Sequence, residues 1–305
     1  MLSTVLVTGG GGGVGFELST QLASLPQVTN VLIFDVVAPG VVERKLKAKC
    51  AREVCLKIKV RRVDLSDSRS IKEECDKLVE EGYAIDALIH NAAINKSRSS
   101  LSVDGYNPVW AVNVIGVEVL TRRLERILTP TARIIFVSSA LLYFADADAN
   151  IEVDMKRPYH SSPHWSRYHY NQSKLTLQLL CRHWGEHFLT ANKNVLCACM
   201  TPGAIIPTNQ HWYMEYVPGF LRVLYMRFYM YFGMNLSFFA PITMPAEAAG
   251  NILRILQLTT NDFKQLRNKF WSKELGVKDE HPMMKDHHRY TRWLNAVKEA
   301  ADSLS

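Results

Sequence analysis

The segment Thr4-Val-Leu-Val-Thr-Gly-Gly-Gly-Gly-Gly-Val-Gly15 constrains the fold more than any other part of the chain. A short apolar run of strand length passes straight into glycines, and the helical pattern Phe16 to Ala23 follows with no spacer. Glycine is required in such a turn because a Cβ would block both the tight reversal and the close approach of a phosphate. The N–H groups that open the helix are unsatisfied and carry positive partial charge, so the turn is built to hold an anion. A flexible glycine linker would not sit flush between two periodic elements. The register stays open, because the run satisfies T-G-x-x-x-G-x-G (Gly9, Gly13, Gly15), T-G-x-x-G-x-x-G (Gly9, Gly12, Gly15) and G-x-G-x-x-G (Gly10, Gly12, Gly15).

Further apolar runs of strand length recur at Val31–Phe34, Val60–Val63, Ala87–His90, Ile134–Val137 and Val195–Met200, separated by longer helix-like stretches. That alternation predicts an α/β fold, a Rossmann-type doubly wound parallel sheet with helices on both faces. The 305 residues, 48% hydrophobic and 21% charged, are enough for one large core, and no Pro/Gly/Ser-rich linker divides them, so a single domain over residues 1–305 is expected. Within it, residues 212–245 are crowded with aromatic side chains but interrupted by Arg222 and Arg227, which excludes a transmembrane span. The segment reads as an apolar lid over a substrate or as a membrane-contacting surface.

The net charge of +7 owes much to residues 43–62, where nine Lys or Arg face two Glu. Such a run reads first as a solvated helix face; attraction of an anionic cofactor or an acidic membrane is the functional alternative. No nucleic-acid motif accompanies it, so no nucleic-acid partner is expected. The six Cys show no C-x-x-C spacing and no signal peptide is apparent, which points to a reduced, cytoplasmic compartment, with membrane association from the cytosolic side left open.

Asp35 ends the second apolar run, twenty residues past Gly15. A carboxylate there accepts hydrogen bonds from both adenosine ribose hydroxyls and repels a 2′-phosphate, which favours NAD(H) over NADP(H). The basic run from Arg44 onward argues the other way. Downstream, Tyr170 is the one Tyr of twelve with a Lys four residues on, Lys174, so both share a helix face. A phenol, with a pKa of about 10, needs a nearby cation to hold its conjugate base at neutral pH.

With Ser138 and Ser139 after the fifth strand, Asn113 within Val112-Asn-Val-Ile-Gly116, Asp64-Leu65-Ser66, Asn91-Ala92-Ala93 and Pro202-Gly203, the chain resembles the short-chain dehydrogenase/reductase family along nearly its whole length. Val63–Ile71, Asp104-Gly-Tyr106, Ser173-Lys-Leu175, Lys269-Phe-Trp271 and Arg292-Trp-Leu294 are similar to the retinol dehydrogenase branch, which handles hydrophobic alcohols and carbonyls. The resemblance implies an NAD(P)-dependent oxidoreductase acting on a hydrophobic small molecule, with a homo-oligomer left open. It also implies site roles. Thr8, Gly9, Gly13, Val14 and Gly15 hold the dinucleotide with Asp35; Asp64 and Leu65 flank the adenine; Asn91, Ala92, Ala93, Pro202 and Gly203 line the cofactor. Tyr170 is the acid/base, Lys174 grips the nicotinamide ribose and lowers the phenol pKa, Ser139 orients the substrate oxygen, and Asn113 holds a water in a proton relay.

Three features depart from the family pattern. Ser139 and Tyr170 stand 31 residues apart, an unusually long interval; the Thr after Pro-Gly comes late, at Thr208; and Val36 stands where NADP-preferring relatives place Arg. His90-Asn-Ala-Ala93 and Ser138–Tyr143 also resemble the extended branch that modifies nucleotide sugars, although that branch carries Arg-Pro and Tyr-Gly where this chain has Thr201-Pro-Gly203 and Thr208-Asn209. A non-catalytic NAD-binding regulator is a third reading, opposed by the intact set of four catalytic residue types. His183-Trp-Gly-Glu-His187 matches a zinc hydrolase pattern, but no third ligand is identifiable, so it reads as a solvated helix face and no metal is expected.

Overall fold

The computed structural model describes residues 2–95, 100–158, 163–205, 242–267, 269–272 and 276–304. The apolar runs form parallel strands: β1 (Thr4–Thr8), β2 (Asn30–Asp35), β3 (Ile58–Arg62), β4 (Ile85–His90), β5 (Leu128–Val137) and β6 (Leu196–Thr201). Two short strands, β7 (Ala204–Ile205) and β8 (Ile242–Thr243), make a parallel pair of their own, so the chain leaves and rejoins at one place beside Pro202 and Gly203. Residues 206–241 lie between them, outside the described residues; they include Thr208 and most of the segment read as a lid. Near the C-terminus β9 (Lys269–Ser272) extends the main sheet in parallel beside β6, and β10 (Gly276–Asp279) closes that edge antiparallel to β9. The order is β10-β9-β6-β5-β4-β1-β2-β3. Strand order reverses between β1 and β4, and a crevice at the carboxyl ends of the strands is where such folds bind ligands.

Alternation along each strand sends side chains to two cores. Leu6, Leu32, Phe34, Leu88, Ile134 and Phe136 face α4 (Ser68–Glu80), α6 (Gly116–Leu124) and α8 (Pro163–Thr190), whose apolar faces bury Ile71, Leu120 and Leu175. Val5, Val7, Val31, Ile33, Ile89 and Ile135 face α1 (Gly13–Ala23), α2 (Pro39–Lys49) and α9 (Pro245–Gln257). The strands are apolar on both faces because helices cover both. Truncating one of these wholly buried residues, such as Leu6→Ala, removes contacts the core cannot rebuild and typically costs about 2–5 kcal/mol. Among the described residues no helix is long and apolar enough to cross a membrane.

The long interval between Ser139 and Tyr170 folds into a 3-10 turn (Ala140–Phe144) and α7 (Ile151–Lys156), which buries Ile151 and Met155 under α11 (His287–Asp302). Of its acidic residues, Asp154 is buried and accepts from the Tyr168 hydroxyl at 2.9 Å. The basic run spans α2, a short α3 (Arg52–Leu56) and β3, with Arg44, Lys45, Lys47, Lys49, Arg52, Lys59 and Arg62 exposed, so it is a solvated surface built from more than one helix. The H-x-x-E-H stretch is half-buried where a solvated face was expected. Trp184 packs inside and donates to Glu118 at 2.8 Å, Glu186 pairs with Arg182, and His187 pairs with Glu125.

Candidate active site

The glycine turn is held by backbone geometry. Gly9 and Gly13 have φ of +68° and +52°, where a side chain is strained. A Cβ on Gly15 would stand 2.2 Å from the Gly9 carbonyl oxygen, whereas one on Gly12 or Gly13 would meet nothing within 4 Å. A Cβ on Gly10 would crowd the Ile33 side chain at 2.9 Å and one on Gly11 the Asp35 carboxylate at 2.8 Å, so of the five glycines only Gly12 carries no requirement, and the positive φ at Gly13 favours the T-G-x-x-x-G-x-G register over the two that use Gly12. The open side of Gly12 and Gly13, at the start of α1, is a cradle that fits a pyrophosphate.

Around the turn the predicted residues converge from the ends of several strands. The Thr8 hydroxyl accepts from the Asn91 and Ala92 amides at 3.1 and 3.0 Å, and Asn91 Nδ2 donates to the Thr8 carbonyl at 3.0 Å. These bonds lock β1 to β4 just where the strand order reverses. Val14 is buried behind the turn in the α1-side core. Asp35 accepts from the Gly11 amide at 2.7 Å and the Val37 amide at 2.9 Å, so its carboxylate is aimed at the turn. Val36 points outward, 55% exposed. Asp64 accepts from the Ser66 amide and hydroxyl at 2.8 and 2.7 Å, shaping the turn that buries Leu65. Ala93 follows the lock half-buried; Pro202 is buried, and Gly203 continues at φ +96°.

The second half of the site is made of side chains. Asn113 lies in a π-helical turn (Ala111–Ile115) between α5 (Pro108–Trp110) and α6. Its carboxamide accepts from the Ile94 amide at 2.8 Å, donates to the Ile94 carbonyl at 2.9 Å and donates to Ser173 Oγ at 3.1 Å. Fully buried, it ties the segment after β4 to α8. Lys174, also buried, donates to the Val137 carbonyl at 2.9 Å, and its Nζ stands 5.4 Å from the Tyr170 ring centroid. Ser138 Oγ donates to the Lys174 carbonyl at 2.7 Å. Ser139 caps the 3-10 turn, accepting from Leu141 at 3.3 Å, and its side chain is near enough to the Tyr170 hydroxyl to favour the phenolate. Asn113, Ser139, Tyr170 and Lys174, spread over 61 positions from the first to the last, thus become one connected group (174 − 113 = 61).

Burial governs the protonation of this group. It pushes the Tyr170 phenol up to about 12, against the Ser139 hydrogen bond, which lowers it. It pulls the Lys174 ammonium down to about 8, while the nearby Cys199 sulfur acts to raise it. The net direction at Tyr170 is opposite to what the Tyr–Lys spacing alone predicts, because desolvation outweighs the lowering by Ser139 while the Lys174 ammonium is held on the Val137 carbonyl.

Sequence reasoning passed over several supporting residues. Gly116 lies directly under Leu65, where a Cβ would stand 2.2 Å from the Leu65 carbonyl oxygen. Ser138 and Ser173 hold the backbone on either side of Tyr170 and Lys174, and Ser173 Oγ donates to the Tyr170 carbonyl at 2.7 Å. Cys199 backs Lys174 from β6. Only the adjacency of Ser138 to Ser139 and of Ser173 to Lys174 carried any signal for these roles.

The sequence profile described as short chain dehydrogenase matches residues 3–144, which hold the glycine turn, Asp35, Asn91, Asn113 and Ser139. This first part of the chain, residues 3–144, is thus similar to the short chain dehydrogenase family. Among relatives, retinol dehydrogenase 14 of Homo sapiens is 29% identical over 218 residues, 68% of this chain and 62% of that protein. Polyprenol dehydrogenase of Homo sapiens is 28% identical over 209 residues, 66% of this chain and 60% of that protein. The match therefore spans about three-fifths of these relatives' own length. A likeness of fold extends past the profile: the NADPH-bound carbonyl reductase from chicken fatty liver superposes with a TM-score of 0.60 at 19% identity, covering 91% of this chain and 99% of that one. Its likeness speaks for the fold alone.

Proposed function

We propose that this chain is a short-chain dehydrogenase/reductase, an NAD(P)(H)-dependent oxidoreductase that moves hydride between the nicotinamide and a hydrophobic alcohol or carbonyl, with NAD(H) favoured. The observation that carries the reading is the convergence of Ser139, Tyr170 and Lys174 from β5 and α8 at the carboxyl end of the sheet, beside the glycine turn. Retinol and polyprenol dehydrogenases among the relatives support a hydrophobic substrate class.

When bound, the dinucleotide supplies or accepts the hydride; the chain does the rest. Gly12, Gly13 and the first turn of α1 face its pyrophosphate, Asp35 faces its adenosine ribose, and Asp64 and Leu65 flank its adenine. Asn91, Ala92, Ala93, Pro202 and Gly203 line the path toward the nicotinamide. With its pKa raised to about 12, Tyr170 holds its proton at neutral pH and stands ready to give it to a carbonyl oxygen that Ser139 orients. In oxidation Tyr170 must first lose that proton, and Lys174, held on the Val137 carbonyl, is the cation that stabilises the phenolate and meets the ribose. Asn113 keeps Ile94 and Ser173 in place, which sets the floor of this relay.

NAD(H) preference rests on Asp35, whose carboxylate repels a 2′-phosphate, with Val36 behind it in place of a cation. The carbonyl reductase structure carries NADPH, so titration of the wild-type protein with NADH and NADPH is the test; tighter NADPH binding overturns the preference. A single domain over residues 1–305, with 212–245 as a lid or membrane-contacting segment, completes the reading. Flotation with anionic liposomes separates the two: co-flotation lost in Arg222→Glu and Arg227→Glu favours membrane contact, and protein remaining at the bottom favours a lid. An NAD(H)-coupled screen of retinoids, polyprenols and steroids tests the substrate class, and turnover confined to nucleotide sugars would refute it.

A further inference from the structure

Four of the six cysteines, Cys75, Cys181, Cys197 and Cys199, are buried; Cys50 and Cys55 are both half-exposed. Cys50 closes α2, Ala51 is the N-cap of α3, and Cys55 is the fourth residue of α3. Residues placed just before an N-cap and four positions into the helix are brought side by side by the geometry of helix entry. Here the two side chains that meet are thiols. Cys55 Sγ donates to the Cys50 carbonyl oxygen at 3.8 Å, which places the two cysteines against one another.

We propose that Cys50 and Cys55 form a redox-active dithiol, a modification site that a low-molecular-weight disulfide of the glutathione type converts into an intramolecular disulfide. Packing alone would be served equally well by two aliphatic residues at this corner. What distinguishes the pair is that both cysteines are half-exposed and adjacent; burial and the neighbouring thiol push the Cys50 thiol up, and the Lys49 charge beside it offsets part of that rise. One thiolate attacks a sulfur of the small disulfide, forming a mixed disulfide and expelling one small thiolate. The second thiolate then attacks the protein sulfur of that mixed disulfide, closing the Cys50–Cys55 bond and releasing the second small thiol. Two protein thiols are oxidised, one small disulfide is reduced to two thiols, and the two protons leave with those thiols. A reversible pair suits a reducing compartment, where permanent bridges are rare. The corner also leans on the dinucleotide helix, since Lys49 pairs with Glu17 and sits 5.5 Å over the Phe16 ring.

The test is equilibration of the folded full-length chain in glutathione buffers of graded poise, followed by acid quench, alkylation of remaining thiols and peptide mapping. The expected product is lighter by two hydrogen atoms, carries a Cys50–Cys55 cross-link and returns to the dithiol with excess reduced glutathione. In Cys50→Ser and in Cys55→Ser the remaining thiol should instead retain a glutathione adduct. The proposal is overturned if wild type accumulates glutathione on either cysteine without closing the bridge. It is equally overturned if both stay alkylatable at a poise that oxidises them in urea. The wild-type map decides the matter even if a serine variant fails to fold.

Discussion

The two halves of the site are built in different ways. The dinucleotide side, from Thr8 to Asp35, is continuous in sequence and is largely a matter of backbone: Gly9 and Gly13 adopt conformations that exclude side chains, and Gly15 leaves no room for one. The other side is a matter of side chains. Asn113, Ser139, Tyr170 and Lys174 come from a π-helical turn, the end of β5 and the middle of α8, and each is anchored by a bond to another element. The first half depends on what a residue lacks and the second on what distant residues supply, so the two should fail differently when altered.

The largest effect is expected at Tyr170. Tyr170→Phe keeps the ring and its packing but removes the titrating hydroxyl, so turnover should fall by roughly 10² to 10⁴ while NADH binding is retained. Steady-state rates with parallel binding isotherms check this, and a variant within a few-fold of wild type would remove Tyr170 from the mechanism and favour a non-catalytic binding protein.

Lys174 gives a stability signature that the glycine half lacks. Its folded pKa is depressed to about 8 from 10.5, so below pH 8 the ammonium is carried in both states and its burial cost is fully present. As pH rises from 8 to 10.5 the folded state gives up this proton before the unfolded chain does, and the stability contribution rises, by an amount of order 3 kcal/mol. Tyr170, raised from 10 to about 12, acts in the opposite sense above pH 10, because there the unfolded chain ionises first. Denaturant melts from pH 7 to 10 should therefore show a rise attributable to Lys174, and Lys174→Met should flatten it; parallel curves for the two proteins would argue against a buried ammonium.

On the dinucleotide side, Gly15→Ala forces a Cβ against the Gly9 carbonyl, an overpacking cost of about 1–3 kcal/mol. It should weaken ADP-ribose binding by about tenfold or more while leaving the α8 side intact. Calorimetric titration reads this directly, and an unchanged affinity would mean that the turn relaxes freely.

The smallest effect is reserved for Asp35→Asn, which removes the charge while retaining one acceptor for the Gly11 or Val37 amide. The ratio of NADPH to NADH affinity should rise by about tenfold, the scale of a single 1.4 kcal/mol interaction. A constant ratio would shift cofactor choice to the basic surface of α2 and β3.

How much of this could be read beforehand follows the same division. The central parallel strands and their two-sided burial were visible as apolar runs because a strand covered by helices on both faces has no polar side to disguise it, whereas β3, at the sheet edge, exposes Lys59 and Arg62. The glycine turn was visible as a requirement but not as a register, since five consecutive glycines satisfy several spacings and only the positive φ at Gly13, beside an unconstrained Gly12, separates them. Residues β9 and β10 add to the sheet were not assigned as strands, because at an edge their pattern is short and weak. Gly116 was named only as the end of the run around Asn113 and given no role, for a plainer reason: its role is set by the Leu65 carbonyl, 51 positions earlier (116 − 65 = 51).

The amino-acid sequence by itself determined the layered fold, the glycine turn and the four residues proposed for the reactive group, because each is expressed in local periodicity or in residue type. Tertiary structure alone decided which glycines are indispensable, that Lys174 is spent on the Val137 carbonyl, and that burial holds Tyr170 protonated and Lys174 weakly basic. The reason is that desolvation and hydrogen-bond geometry depend on what surrounds a group in space, and the neighbours that set them, Val137, Ser139 and Cys199, lie 25 to 37 positions away from Lys174 in the chain (199 − 174 = 25; 174 − 137 = 37).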